Sequence, residues 1–249
     1  MKRNVTWAFY KIRSSSNPRV LDELQKLVTN ENESIEVRVN AVRAVGATGF
    51  DSVQLNLWQT LVTTAQMRGE KYASLRLFAV RSLGQLTPPK AQAVLALSRI
   101  ASKDPDLELR KEAVAALRSL APSDPDVEAA LAASFGQAED PELKVLILEA
   151  LADSGSSKPA SLAGDFLASP ASLSLKRRAV SALSENPDEA SAEVILDACR
   201  AAELGDFAEA ILEGYPESFM ASLVARRTRT EADKNILSIL GALETKFGE

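Results

Sequence analysis

Between Val37 and Gly46 the chain sets Val37, Ala41, Val42, Ala44 and Val45 against Arg38, Asn40 and Arg43. On a helix of 3.6 residues per turn the first five form one broad apolar arc, with Arg38 at its edge. The order is an apolar residue, a cation, two variable residues, Ala-apolar, one variable residue, then small-apolar. It returns at Leu75-Arg76 with Ala79-Val80 and Ser82-Leu83, and at Leu109-Arg110 with Ala113-Val114 and Ala116-Leu117. Further copies are Leu143-Lys144 with Ile147-Leu148 and Ala150-Leu151, and Leu175-Lys176 with Ala179-Val180 and Ala182-Leu183. The cations at 38, 76, 110, 144 and 176 are spaced by 38, 34, 34 and 32 residues, which predicts stacked helical hairpins.

A second helix is expected before each copy, over 18–29, 52–67, 90–102, 124–137 and 159–168. Asp104-Pro105, Asp124-Pro125, Asp140-Pro141 and Asn186-Pro187 punctuate the joints. Two further units are expected with inner helices near 206–215 and 231–247, where the cation is lost and Gly214 interrupts the first. At the other end Ala8-Phe9 and Ile12 align with Ala41-Val42 and Val45, so the chain opens on an inner helix with no outer partner. That helix reads as a cap, or as the cut edge of a longer array. The division is a single repeat domain over 1–249. Residues 1–16 form the cap or half repeat; repeats cover 17–50, 51–88, 89–122, 123–157 and 158–187; 188–249 are divergent.

These signatures resemble the HEAT-repeat family, whose units pair an outer helix with an inner helix carrying Val-Arg and Ala-Val-x-Ala-Leu-Gly. Val37 to Gly46 and Leu75 to Gly84 are the closest copies. The resemblance implies an all-α fold, a right-handed α-solenoid of about six to seven stacked hairpins. Armadillo and tetratricopeptide arrays are the competing solenoids. The 34-residue spacing suits the latter, but its Trp, Gly and Tyr landmarks are missing.

Composition narrows the chemistry more than it widens it. Histidine is absent from the 249 residues, which removes Ser-His-Asp and Cys-His catalysis, His-ligated zinc and the His-Glu sites of HEAT-like hydroxylases. One cysteine, Cys199, permits no intrachain disulfide and no Cys-rich metal site, and reads as a small buried side chain. No cofactor or metal is expected. Gly46-Ala47-Thr48-Gly49 lacks the lysine and spacing of a phosphate loop and reads as a helix stop. No stretch approaches the roughly 20 apolar residues of a membrane span. The expected location is cytoplasmic, with an exported domain supplied without its leader as the alternative. Oligomeric state stays open.

Arg38, Arg76, Arg110, Lys144 and Lys176 have two readings: a basic stripe for an anionic partner, or a ladder in which each cation bonds acidic or carbonyl groups of adjacent turns. HEAT repeats are known for the ladder, and partly buried charges need partners in any case. The positions equivalent to 39 and 43 point away from the core, towards the concave face that the resemblance implies. Val39, Arg43, Leu77, Phe78, Arg81, Lys111, Val145, Leu146 and Arg177 are the candidate partner contacts there, with Trp7 and Tyr10 from the first helix. Leu77, Phe78, Val145 and Leu146 are apolar where a solvated face would be polar. The competing reading has loops or a steeper superhelix covering them. Trp58, on an outer helix, reads as packing. Lys176-Arg177-Arg178 and Arg226-Arg227-Thr228-Arg229 read as solvated faces, or as phosphate sites.

Charge is polarised: residues 1–120 hold 18 Lys and Arg against 11 Asp and Glu, and residues 121–249 hold 11 against 23. Such a field orients a partner or favours head-to-tail association, or else reflects drift in a repeat array. The function expected is a non-enzymatic scaffold that binds a protein or peptide along the inner face. The alternatives are a nucleic-acid-binding or DNA alkylation-repair-type glycosylase, with Trp7, Tyr10, Arg43 and Arg81 at its concavity, and a phycobilin-lyase-like protein. The net charge of −5 opposes nucleic acid as partner.

Overall fold

Proline and aspartate set where the helices begin. Pro125 and Pro141 are the first residues of their helices, where a missing N–H costs nothing. Asp140 accepts from the Leu143 N–H at 2.8 Å, and Asp188 forms a reciprocal capping box with Ser191. In the computed structural model, which describes residues 18–47, 57–85, 91–120 and 124–247, the chain is all-helical, and no strand occurs among these residues. The helices are α1 (Pro18–Thr29), α2 (Ile35–Ala47), α3 (Leu57–Ala65), α4 (Ala73–Leu83), α5 (Ala91–Lys103), α6 (Leu107–Leu120) and α7 (Pro125–Gln137). They continue as α8 (Pro141–Asp153), α9 (Lys158–Ala168), α10 (Leu173–Ser184), α11 (Glu189–Ala198), α12 (Gly205–Leu212), α13 (Glu217–Thr230) and α14 (Lys234–Phe247). Short 3-10 turns over Glu70–Tyr72 and Ala202–Leu204 lead into α4 and α12. No helix among the described residues is long and apolar enough to cross a membrane.

The chain divides into two compact units, Met1–Gln137 and Ala138–Glu249. In the N-terminal unit α2, α4 and α6 pack side by side as one layer, and α1, α3, α5 and α7 as the other. In the C-terminal unit α8, α10, α12 and α14 form one layer and α9, α11 and α13 the other. The repeated apolar positions fill the space between layers. Ala41, Val42, Ala44 and Val45 are buried, as are Leu75, Ala79, Val80 and Leu83, and Leu109, Ala113, Val114 and Leu117. The last units keep the rhythm: Leu204, Ala208 and Leu212 are fully buried where Val37, Ala41 and Val45 stand in the first copy.

Gly46 lies in the last turn of α2 and is buried, and the helix ends one residue on at Ala47, within the stretch read as a helix stop. A Cβ there would fall 2.3 Å from Ser82 Oγ, and a Cβ on Gly84 would fall 2.8 Å from Ala116 Cα. Both glycines stand where neighbouring helices of one layer touch. The reason for glycine is the close approach, not a turn.

Candidate binding surface on the inner helices

The cation of each signature is structural in the N-terminal unit. Arg38 is only 1% exposed, and its Nε donates to the Val28 carbonyl at 2.9 Å. Arg76 Nε donates to Ala65 O at 3.2 Å and Arg110 Nε to Ala101 O at 3.0 Å. Each acceptor lies in the last turn of the preceding helix, α1, α3 or α5, where carbonyls lack intrahelical partners and the helix dipole is negative. The remaining guanidinium nitrogens vary. Arg38 Nη2 meets Met67 Sδ at 3.8 Å and its guanidinium lies 5.7 Å from the Tyr72 ring centre. Arg76 pairs with the Asp104 carboxylate. Arg110 Nη2 is buried with no hydrogen-bond partner among the described residues. Lys144 and Lys176 are half-buried in the C-terminal unit.

A second row runs beside this ladder, and sequence reasoning missed it. Two residues after the cations at 76, 110 and 176 stand Phe78, Glu112 and Arg178, and Phe207 takes the same register in α12 when Ala208 is set on Ala41. Each meets a charged residue from the neighbouring helix of its layer. The Arg43 guanidinium lies 4.8 Å from the Phe78 ring centre. Arg81 Nη2 donates to Glu112 Oε2 at 2.8 Å, a bond that raises the arginine pKa further. Arg178 donates through Nε and Nη2 to both Glu149 oxygens at 2.8 and 2.9 Å, which likewise raises its pKa. Arg177 lies 5.5 Å from the Phe207 ring centre. The signal was available as a column of the repeat, but its pairing rule needs the offset between neighbouring helices.

Of the candidate contacts, Arg43, Phe78 and Arg81 come together. Arg81 also approaches Phe78, at 5.4 Å, so two guanidiniums attend one half-buried ring. Val39 and Leu77, one turn before Arg43 and Arg81 on the same helices, are half-buried. Lys111 is held by Glu108 at 3.5 Å. Leu146 is half-buried and Arg177 exposed in the C-terminal unit. Val145 is a correction: it is 0% exposed and belongs to the core. Val145-Leu146-Ile147-Leu148 is an unbroken apolar run, and a helix apolar beyond one face buries more than one face. Trp7 and Tyr10 lie outside the described residues.

The basic run of α13 is exposed at Arg226 and Arg229, and Arg226 and Arg227 are paired with acids. Arg226 binds Glu189 and Glu193 of α11, at 2.7 and 2.5 Å, and Arg227 binds Glu193, Asp197 and Glu231 at 2.7 to 2.8 Å. Arg200 closes the network on Asp197 and Glu231. Cys199 is buried as expected, and burial pushes its thiol up to about 12, away from the thiolate form. Trp58 is half-buried on α3. No group of three or more His, Cys, Asp or Glu that could hold a metal ion occurs among the described residues.

No family model matches the chain, and no curated protein matches it. Among solved structures, the crystal structure of an engineered protein is similar at 16% identity and a TM-score of 0.49, over 92% of this chain and 96% of that one.

Proposed function

We propose that this protein is a non-enzymatic interaction scaffold, a right-handed HEAT-like solenoid of about six to seven hairpins that binds a protein or peptide along the concave face of its inner helices. The observation that carries this reading is the Phe78 ring, half-buried on α4 with the guanidiniums of Arg43 and Arg81 over it. Aromatic and arginine side chains dominate binding energy at protein interfaces, and stacking holds these three in place before a partner arrives. Val39 and Leu77 extend the apolar part of the patch. The reading keeps the protein in the cytoplasm, in line with a single buried cysteine that can form no intrachain disulfide.

The test is affinity capture with wild type, Leu77→Asp and Arg81→Glu, each checked by far-UV circular dichroism. A partner retained by wild type and lost by both folded variants is the expected result. A partner that binds all three equally, or turnover of a small molecule with no partner at all, overturns the reading.

A further inference from the structure

The ladder shows what its cation position requires, a helix-end carbonyl and a carboxylate, and one rung has neither among the described residues. Arg76 meets a helix-end carbonyl and the carboxylate of Asp104, the residue that directly follows α5. In α10 the cation is Lys176, half-buried, and its ammonium has no hydrogen bond or ion pair among the described residues. After α11 the chain reads Cys199-Arg200-Ala201, with no carboxylate where Asp104 stands in the earlier repeat.

Beside Lys176 lies a groove of about 590 Å³ between the C-terminal halves of α9 and α11. Leu167 and Val194 give it apolar walls, and Gly164, Ala168, Ala198 and Ala201 keep it open by being small. Its other cation, Arg200, is engaged by Asp197 and Glu231. The carbonyls at the end of α11 are engaged as well. Leu196 O, Asp197 O and Ala198 O accept from the N–H groups of Cys199, Arg200 and Ala201, and Arg200 O accepts from Asn235 Nδ2. Among the described residues that line the groove, the Lys176 ammonium is therefore the cation that has no hydrogen bond or ion pair.

We infer that this groove receives the C-terminal carboxylate of an extended, apolar peptide. The carboxylate sits on Lys176 as Asp104 sits on Arg76. The last side chain lies between Leu167 and Val194, where only small side chains narrow the space. Asp197, half-exposed at the rim, offers a carboxylate oxygen to a peptide N–H, a contact that selects a peptide over a simple acyl chain. The site is separate from the Phe78 patch and stands or falls independently of it.

Fluorescence anisotropy with a fluorescein-labelled pentapeptide ending in Ala-Val-Leu tests this, comparing the free acid with the C-terminal amide. The free acid is expected to bind saturably, and the amide about tenfold or more weakly, the effect of losing a charged hydrogen bond. Lys176→Met is expected to weaken the acid to the level of the amide, and Lys176→Arg to retain it. Ala198→Leu, which fills the groove without touching the ammonium, weakens both. Equal binding of acid and amide, undiminished binding by Lys176→Met, or no saturable binding of the acid overturns the proposal. Binding of decanoate without binding of the peptide overturns it too. Should a variant lose its helical circular dichroism, the comparison of acid and amide on wild type decides alone.

Discussion

Gly84, which caps the C-terminus of α4, rests against Ala116 of α6 so closely that a Cβ added to the glycine would stand 2.8 Å from the alanine Cα. Gly46 repeats the contact against Ser82, whose hydroxyl donates to the Val42 carbonyl at 3.2 Å. The small positions of the signature thus serve the spacing of helices within a layer. Alanine in place of Gly84 stands at the helix cap, where it gains little helix propensity, and must push backbone against backbone, and overpacking costs about 1–3 kcal/mol. Gly84→Ala is therefore expected to be destabilising. Gly241→Ala, in the middle of α14 with nothing within 4 Å of the added carbon, is expected to stabilise by about 0.5–1 kcal/mol. Urea unfolding of both variants checks the sign. A stabilising Gly84→Ala would show that the layers slide freely.

Arg76 and Asp104 are 12% and 10% exposed, buried enough that neither tolerates loss of the other. Arg76→Met leaves the carboxylate unpaired and is expected to cost about 3–5 kcal/mol. Adding Asp104→Asn should recover part of that, because the amide oxygen still accepts from the Asp106 N–H, as the carboxylate does at 3.1 Å. Arg76→Lys should not recover it, since one ammonium replaces a fork that serves a carbonyl and a carboxylate together. Denaturation of the single and double variants gives the coupling. Additive losses would mean the pair contributes no more than a surface contact.

Leu77 and Val145 look alike in the sequence, sharing one column of the repeat, and differ in the fold. Leu77→Asp is expected to cost about 1 kcal/mol and to leave the far-UV spectrum unchanged. Val145→Asp buries an unpaired charge and is expected to cost about 4 kcal/mol or more, enough to unfold much of its unit. Thermal melts of the two variants separate these outcomes; equal losses would place both residues in one environment.

That contrast marks what the sequence made legible. Periodicity located the helices well: the expected 18–29 matches Pro18–Thr29, and the expected 90–102 falls within one residue of Ala91–Lys103. The ladder reading followed because a semi-buried cation must find a local acceptor, and the end of the preceding helix is the nearest one. Contacts between repeats were harder to see. Gly46 reads in the sequence as part of a helix stop, and its close approach to Ser82, 36 residues on, shows only in the fold. The pairs Arg81 with Glu112 and Arg178 with Glu149 depend on how adjacent helices are offset, which no single repeat encodes.

Glu231, in the turn after α13, is 7% exposed and accepts from the backbone N–H groups of Asp233 and Ala232 and from Arg227 and Arg200. Those donors, the backbone N–H groups foremost, lower its carboxyl from an ordinary 4.5 to about 2. A depressed acid contributes stability that is complete above its unfolded pKa and is lost as pH falls through the folded one. The contribution of Glu231 therefore holds above about pH 4.5 and disappears between there and about pH 2. Other carboxylates titrate over the same interval, so the informative quantity is a difference. Wild type should exceed Glu231→Gln in its urea midpoint at pH 6, and the gap should narrow steadily below pH 4.5 and close near pH 2. The absence of a gap at pH 6 would show that the carboxylate acts only as a neutral acceptor at the end of α13, a role glutamine fills as well, and a gap that persists unchanged down to pH 2 would show that its charge contributes nothing.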